Sequence, residues 1–177
     1  MIGRRTVLRA GGWTAGLALL GLPPPALAEG VADEVVEIRM RGTPNGSEVW
    51  FDPVGVLVEP GRTIRWINAD PGNAHTSTAY HPANGDHPLR IPEGAAPWDS
   101  DYLLPDQTFE LRLTVAGVYD YFCLPHEEAG MVGRIVVGHP QGGHPQGNPS
   151  AATLPEAARR LPSPEEIVRR KSVRIDR

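Results

Sequence analysis

Seven short apolar-rich runs, separated by turn residues, restrict what this chain can fold into. In EVVEIRM, Val36, Ile38 and Met40 share one face while Glu37 and Arg39 take the other. RTIRWIN sets Ile64 and Trp66 against Arg65, and TFELRLT sets Phe109, Leu111 and Leu113 against Glu110 and Arg112. SEVWF, VGVLVEPG, GVYDYFC and VGRIVV complete the set, with Gly55 expected to mark a bulge. Thr43-Pro44-Asn45-Gly46, Glu59-Pro60-Gly61, Asp70-Pro71-Gly72 and Ala116-Gly117 supply the turns. Period-two strands with such punctuation predict an all-β fold, an antiparallel sandwich or barrel. The 19 prolines and 20 glycines fit that reading, as does the lack of long helical periodicity in the middle of the chain.

The two ends differ from this body. Residues 1–28 combine Arg4, Arg5 and Arg9, an apolar stretch from Trp13 to Leu22, and a small-residue close at Ala26-Leu27-Ala28. The apolar stretch is shorter than the ~18 residues a membrane span needs. This is the pattern of an export signal, and Arg4-Arg5 before Thr6-Val7-Leu8 fits the twin-arginine type. The expectation is a signal over 1–28, a domain over 29–138, and a periplasmic or extracellular address; retention of the signal as an anchor is the minor alternative. Residues 139–177 begin with GHPQG twice in succession, a flexible linker. Thr153 and Ser163, each followed three residues later by glutamate, predict two short helices, neither stable alone. Leu154, Ala158, Leu161, Ile167 and Val168 would dock on the body or on a partner. Between Tyr80 and Leu104 runs a long segment with four prolines, from which Trp98 is expected to tuck back onto the body.

Charge separates the same regions. Residues 29–138 carry 17 acidic and 7 basic side chains, a net of −10; residues 139–177 carry 4 and 7, a net of +3. An acidic body argues against nucleic acid as a partner. It suits a basic protein partner, and serves solubility equally well.

Export leads to an oxidising compartment, where cysteines pair, yet Cys123 is the only one in the chain. His126 follows it by three residues and Met131 by eight. Singly, these are a buried small hydrophobe, a surface imidazole and core filler. Together, in Cys-x2-His-x4-Met spacing at a strand end, they form a soft ligand set. Calcium and magnesium prefer oxygen, and zinc has little use for methionine. Copper accepts all three, with two histidines and a cysteine in a plane and a weak axial methionine. The second histidine would come from His75, His81, His87, His139 or His144. His75 is favoured, because it follows the strand TIRWIN and the turn after it, at the end of the sandwich where Cys123 also lies. Thr76 is placed to supply hydrogen bonds that orient the cysteine loop. Pro125 has no N–H to offer the sulfur, which would tune the potential.

GVYDYFCLPHEEAGMVGRIVV and VEPGRTIRWINADPGNAHT resemble the type 1 blue-copper proteins, the cupredoxins, and within them the plastocyanin, pseudoazurin and halocyanin group. The resemblance covers roughly 35–138. It implies a Greek-key β-sandwich, here with a flexible C-terminal extension carrying short helices. It also implies one copper per chain, cycling between Cu(I) and Cu(II), with His75, Cys123, His126 and Met131 as ligands. The group shuttles single electrons between larger redox proteins. Its exposed imidazole, here His126 beside Leu124 and Pro125, serves as the electron port. Thr76 and Phe122 depart from residues common in relatives, and Phe122 speaks against a tyrosine-based partner contact. Glu127 and Glu128 place two acids beside the port, favouring a basic partner or a depressed potential.

The expected function is therefore an exported, monomeric electron carrier and not an enzyme, since the ligand set looks full and no His-x-His pairs of the multicopper kind occur. The alternative is a copper-binding or copper-delivery protein with no electron-transfer role.

Overall fold

The computed structural model describes residues 35–138 and 156–176. Two sheets face each other. The first contains β1 (Val36–Gly42), β2 (Val49–Asp52), β4 (Thr63–Asn68) and β6 (Thr108–Arg112), in the order β2-β1-β4-β6. The second contains β3 (Gly55–Val58), β5 (Thr78–Ala79), β7 (Gly117–Phe122), β8 (Val132–Val137) and β9 (Ser172–Val173), in the order β5-β7-β8-β3-β9. A single α-helix among the described residues, α1, spans Pro164–Arg170.

Alternation sets the inner faces. Ile38 and Met40 of β1 and Ile64 and Trp66 of β4 are fully buried, while Glu37 and Arg39 face out. β7 and β8 are buried along their whole length, which fits a central position with both faces covered. Between the sheets Trp66 meets Tyr121 edge-on at 5.6 Å, and Tyr121 meets Phe51 at 4.7 Å. Burying an aromatic side chain of this kind contributes about 1.5–3 kcal/mol, and favourable ring geometry adds about 0.5–1.5 kcal/mol.

Three expectations need correction. The sandwich is not purely antiparallel: β1 pairs with β4 and β3 with β8 in parallel. The chain leaves the first sheet after β2, contributes β3 to the second, and returns as β4, so the long crossover that parallel pairing needs runs through the opposite sheet. Gly55 is no bulge, for it holds regular register with Arg134. A Cβ there would lie 2.7 Å from Pro162 and 2.8 Å from Ile167, so glycine is required by what packs on it. Nor is the C-terminal extension flexible over 156–176. Ala157 and Ala158, in a 3₁₀ turn over Glu156–Arg160, lie against Tyr80, Phe122 and Val132. Ile167 of α1 is buried with Val54, Val118, Val136 and Val173, and β9 extends the edge of β3. Ser163 caps α1 as predicted, its Oγ accepting from Glu166 N at 3.1 Å. Ala158, Leu161, Ile167 and Val168 all pack on the body; the repeated GHPQG beyond Gly138, Thr153, Leu154, His139, His144 and the leader lie outside the described residues.

The long proline-rich segment is laced to the sheets. Trp98 is buried and its Nε1 donates to Ser77 Oγ at 3.0 Å. Arg90 joins a buried ionic cluster: its guanidinium and that of Arg134 (β8) both grip Asp120 (β7), Arg134 through Nε at 2.6 Å. Arg134 Nη1 also donates to the carbonyl of Pro162 at 2.8 Å, so one cluster ties loop, sheet and extension together. No helix among the described residues is long and apolar enough to cross a membrane.

Removing the shared acid takes the carboxylate away from two buried guanidinium groups. Asp120→Ala is expected to cost about 3–5 kcal/mol in urea unfolding. Ile167→Ala, which empties the seam under the extension, is expected to cost about 2–5 kcal/mol in the same assay.

Candidate metal centre

Two strand ends build the centre. β4 ends at Asn68, and after a tight turn the chain returns with His75, whose backbone bridges to Leu103 in both directions. β7 ends at Phe122, and Cys123, in extended conformation, caps a 3₁₀ turn over Leu124–His126 in which Pro125 occupies an early position. The turn is closed on itself. Cys123 N donates to Met131 O at 3.0 Å, His126 N to Cys123 O at 3.0 Å, and Met131 N to His126 O at 3.1 Å.

His75, Cys123 and His126 present their donor atoms to one point. The two Nδ1 atoms are 3.2 Å apart, and Cys123 Sγ lies 3.6 Å from His75 Nδ1 and 3.4 Å from His126 Nδ1. A triangle with these sides has its centre about 2 Å from each corner, the bond length of a first-row metal to imidazole nitrogen. Two imidazole nitrogens and a sulfur gathered this closely can offer one ion three lone pairs at bonding distance, so the donor set fits one metal ion. His75 and Cys123 are buried, and His126 is partly exposed. Met131 is fully buried in the same apolar cluster as Cys123, with its backbone fixed to both Cys123 and His126. His81 and His87 are not part of the group. His81 Nδ1 accepts from Ala83 N, and His87 bonds to Asn84 O and Glu127.

Thr76 holds the two halves together. Its amide donates to Cys123 Sγ at 3.3 Å, and its hydroxyl accepts from Leu124 N at 2.8 Å. Thr78 gives its proton to Asp99 Oδ1 at 3.1 Å, so the Thr76 hydroxyl donates to Thr78 Oγ1 at 2.8 Å and keeps a lone pair for Leu124. Leu124 and Pro125 are exposed next to His126. Glu128 is exposed as well, but Glu127 is not a free surface acid: it accepts from Tyr80 Oη at 2.7 Å and pairs with His87 at 2.8 Å.

One participant was missed in the sequence. Asp70 is buried, and its Oδ2 lies 3.0 Å from His75 Nε2. In the sequence it reads only as the first residue of an Asp-Pro-Gly turn, and nothing in that pattern distinguishes a turn acid from a partner of the histidine.

Burial raises the Cys123 thiol to about 11, against the lowering effect of hydrogen bonds from Thr76 and His126. Burial lowers both imidazoles, with Asp70 opposing the shift at His75. Burial also acts to raise Asp70, but hydrogen bonds from Asn73, Gly72 and His75 outweigh it and hold the carboxyl below its ordinary range.

A family model described as copper binding proteins, plastocyanin/azurin family, matches residues 38–138. A chloroplastic plastocyanin of Chlamydomonas reinhardtii is 36% identical over 91 residues, 49% of this chain and 57% of that protein; the chain thus spans little more than half of that relative. A plastocyanin of Scenedesmus fuscus is 34% identical over 100 residues, 54% of this chain and 93% of that protein. Among solved structures, a Sinorhizobium pseudoazurin is 29% identical with a TM-score of 0.46, over 60% of this chain and 76% of that one. The matched segment carries the sandwich and the converging donors: the chain belongs to the plastocyanin/azurin family of copper-binding proteins.

At neutral pH the metal-free protein thus holds a protonated thiol and two neutral imidazoles. Metal capture must displace the thiol proton alone, so about one proton is released per copper at pH 7, and affinity rises about tenfold per pH unit up to the thiol pKa. Titrating the metal-free protein with copper in weak buffer measures this. Release of none would show a thiolate already present, and release of two or more would show charged imidazoles.

Proposed function

We propose that this protein is an exported, mononuclear blue-copper carrier of single electrons between redox proteins. His75, Cys123 and His126 hold one copper, and Met131 supplies the weak fourth ligand. The observation that supports this reading best is the donor triangle itself. Its three atoms lie within 3.6 Å of one another in the fold, held by backbone hydrogen bonds that no ligand has to form.

When bound, copper supplies a one-electron couple between Cu(I) and Cu(II). The chain's own part is to hold the donors still. Thr76 fixes the sulfur through its amide and the cysteine loop through its hydroxyl, and Pro125, lacking an N–H, adds no donor to the sulfur. A frame that keeps its shape in both oxidation states needs little rearrangement for electron exchange. Burial of His75, Cys123 and Met131 keeps water from the donors, while His126 is partly exposed beside Leu124 and Pro125. A partner docking on that apolar edge would meet His126 first. The acidic surface of the body suits a basic partner. The arginine pair and apolar stretch of residues 1–28 support export by the twin-arginine route to the periplasm or cell exterior.

This burial favours the carrier over a copper-delivery protein, which has to pass its ion from ligand to ligand and is served by exposed donors. The copper-loaded protein is expected to be intensely blue when oxidised and to bleach and recover through repeated reduction and reoxidation. Cys123→Ser is expected to abolish the colour. A colourless protein that binds only Cu(I) and yields it to a chelating partner would sink the carrier reading and favour delivery.

A further inference from the structure

We propose that Asp70 is a positioning residue of the copper centre: its carboxylate fixes the orientation and tautomer of His75, and its buried charge favours the oxidised metal. The inference rests on the copper-carrier reading above.

The geometry is that of a built contact. The His75 and Asp70 side chains are 0% and 2% exposed, and Nε2 lies 3.0 Å from Oδ2. Only a ring protonated at Nε2 can donate to this oxygen, which leaves Nδ1, the atom in the donor triangle, with its lone pair. The acid is itself held from several sides. Gly72 N donates to Oδ1 at 2.9 Å, and Asn73 Nδ2 donates to Oδ2 at 2.8 Å. Asp70 N donates to Asn68 Oδ1 at 3.0 Å, and Asn68 Nδ2 in turn bonds the carbonyls of Asn73 and Leu103, each at 2.8 Å.

A third element makes room for it. Gly42 ends β1, and a Cβ at that position would lie 2.0 Å from Asp70 Oδ2 and 2.6 Å from its Cγ. Only glycine admits the carboxylate there. An acid serving just the turn would need Oδ1 on Gly72 and could leave Oδ2 in water. Here the second oxygen is buried between Gly42 and the ring of His75.

Two consequences follow from elementary chemistry. A ring held by a carboxylate on its far nitrogen cannot flip or change tautomer without taking one hydrogen-bond donor from a buried charge. A fixed negative charge one imidazole away from the metal stabilises Cu(II) over Cu(I), because the oxidised centre carries one more positive charge.

The test compares the full chain with Asp70→Asn, Asp70→Ala and Gly42→Ala. Asparagine keeps the shape and an acceptor oxygen and removes the charge; alanine removes both. Gly42→Ala displaces the carboxylate without altering any side chain that touches His75. Asp70→Asn is expected to lower the ratio of cupric to cuprous affinity about tenfold, equivalent to a rise of about 59 mV in potential. Asp70→Ala and Gly42→Ala should shift it in the same direction. Nitrogen NMR of the metal-free protein should show His75 as the Nε2–H tautomer in the wild type and a mixture in Asp70→Ala. An unchanged potential in folded Asp70→Asn and Asp70→Ala, or a wild-type His75 protonated at Nδ1, overturns the proposal. A wild type with no reversible copper couple would instead overturn the carrier reading, and the tautomer measurement would still decide the role of Asp70.

Discussion

The hydrogen bond from the Thr76 amide to Cys123 Sγ is the contact on which the centre depends. It joins the segment after β4 to the loop after β7, and so brings a histidine and a cysteine 48 residues apart in sequence into one group. Without it the sulfur would keep only the backbone of His126 as a donor, from its own loop. With it, and with the Thr76 hydroxyl on Leu124 N, the loop has one position relative to His75. The aromatic core of Trp66, Tyr121 and Trp98 lies beneath and leaves the strand ends little freedom. Preorganisation of this kind moves the cost of ordering the ligands into folding, where the core offsets it.

Buried polar groups elsewhere follow the same rule. Asp120 is placed where separate parts of the chain must agree. Asp120 with its two arginines fixes the proline-rich segment, the second sheet and the C-terminal extension at once. The extension covers the outer side of β3 and β8, gives β3 a paired edge, and adds Arg174 to the carboxylate of Asp52. Some of the basic charge of that segment is thus spent on the acidic body. A paired edge is also a protected one.

Much of this was legible in the residues, for reasons that can be stated. Faces of β1, β4 and β6 could be read because side chains alternate along a strand, and burial follows that alternation at Ile38, Met40, Ile64 and Trp66. Partners could not be read, because alternation says which side a residue faces and not which strand lies beside it; hence the parallel pairs escaped. β5, with two residues, is too short to carry a pattern. Gly55 invited a local reading as a bulge, but its cause is Pro162 and Ile167, more than a hundred residues away. At the centre, the Cys-x2-His-x4-Met loop was visible because soft donors are rare and close in sequence. Thr76 was visible as the neighbour of His75. Asp70 was hidden because its chemistry belongs to a contact across three elements, and a turn acid looks the same whether it meets water or an imidazole.

X-ray absorption at the copper edge, recorded on oxidised and reduced samples of the loaded protein, tests the central claim most directly. A preformed triangle predicts two nitrogen neighbours and one sulfur at short range, with nearly the same distances in both oxidation states. A shell without sulfur, or one that gains oxygen neighbours or rearranges on reduction, would contradict it.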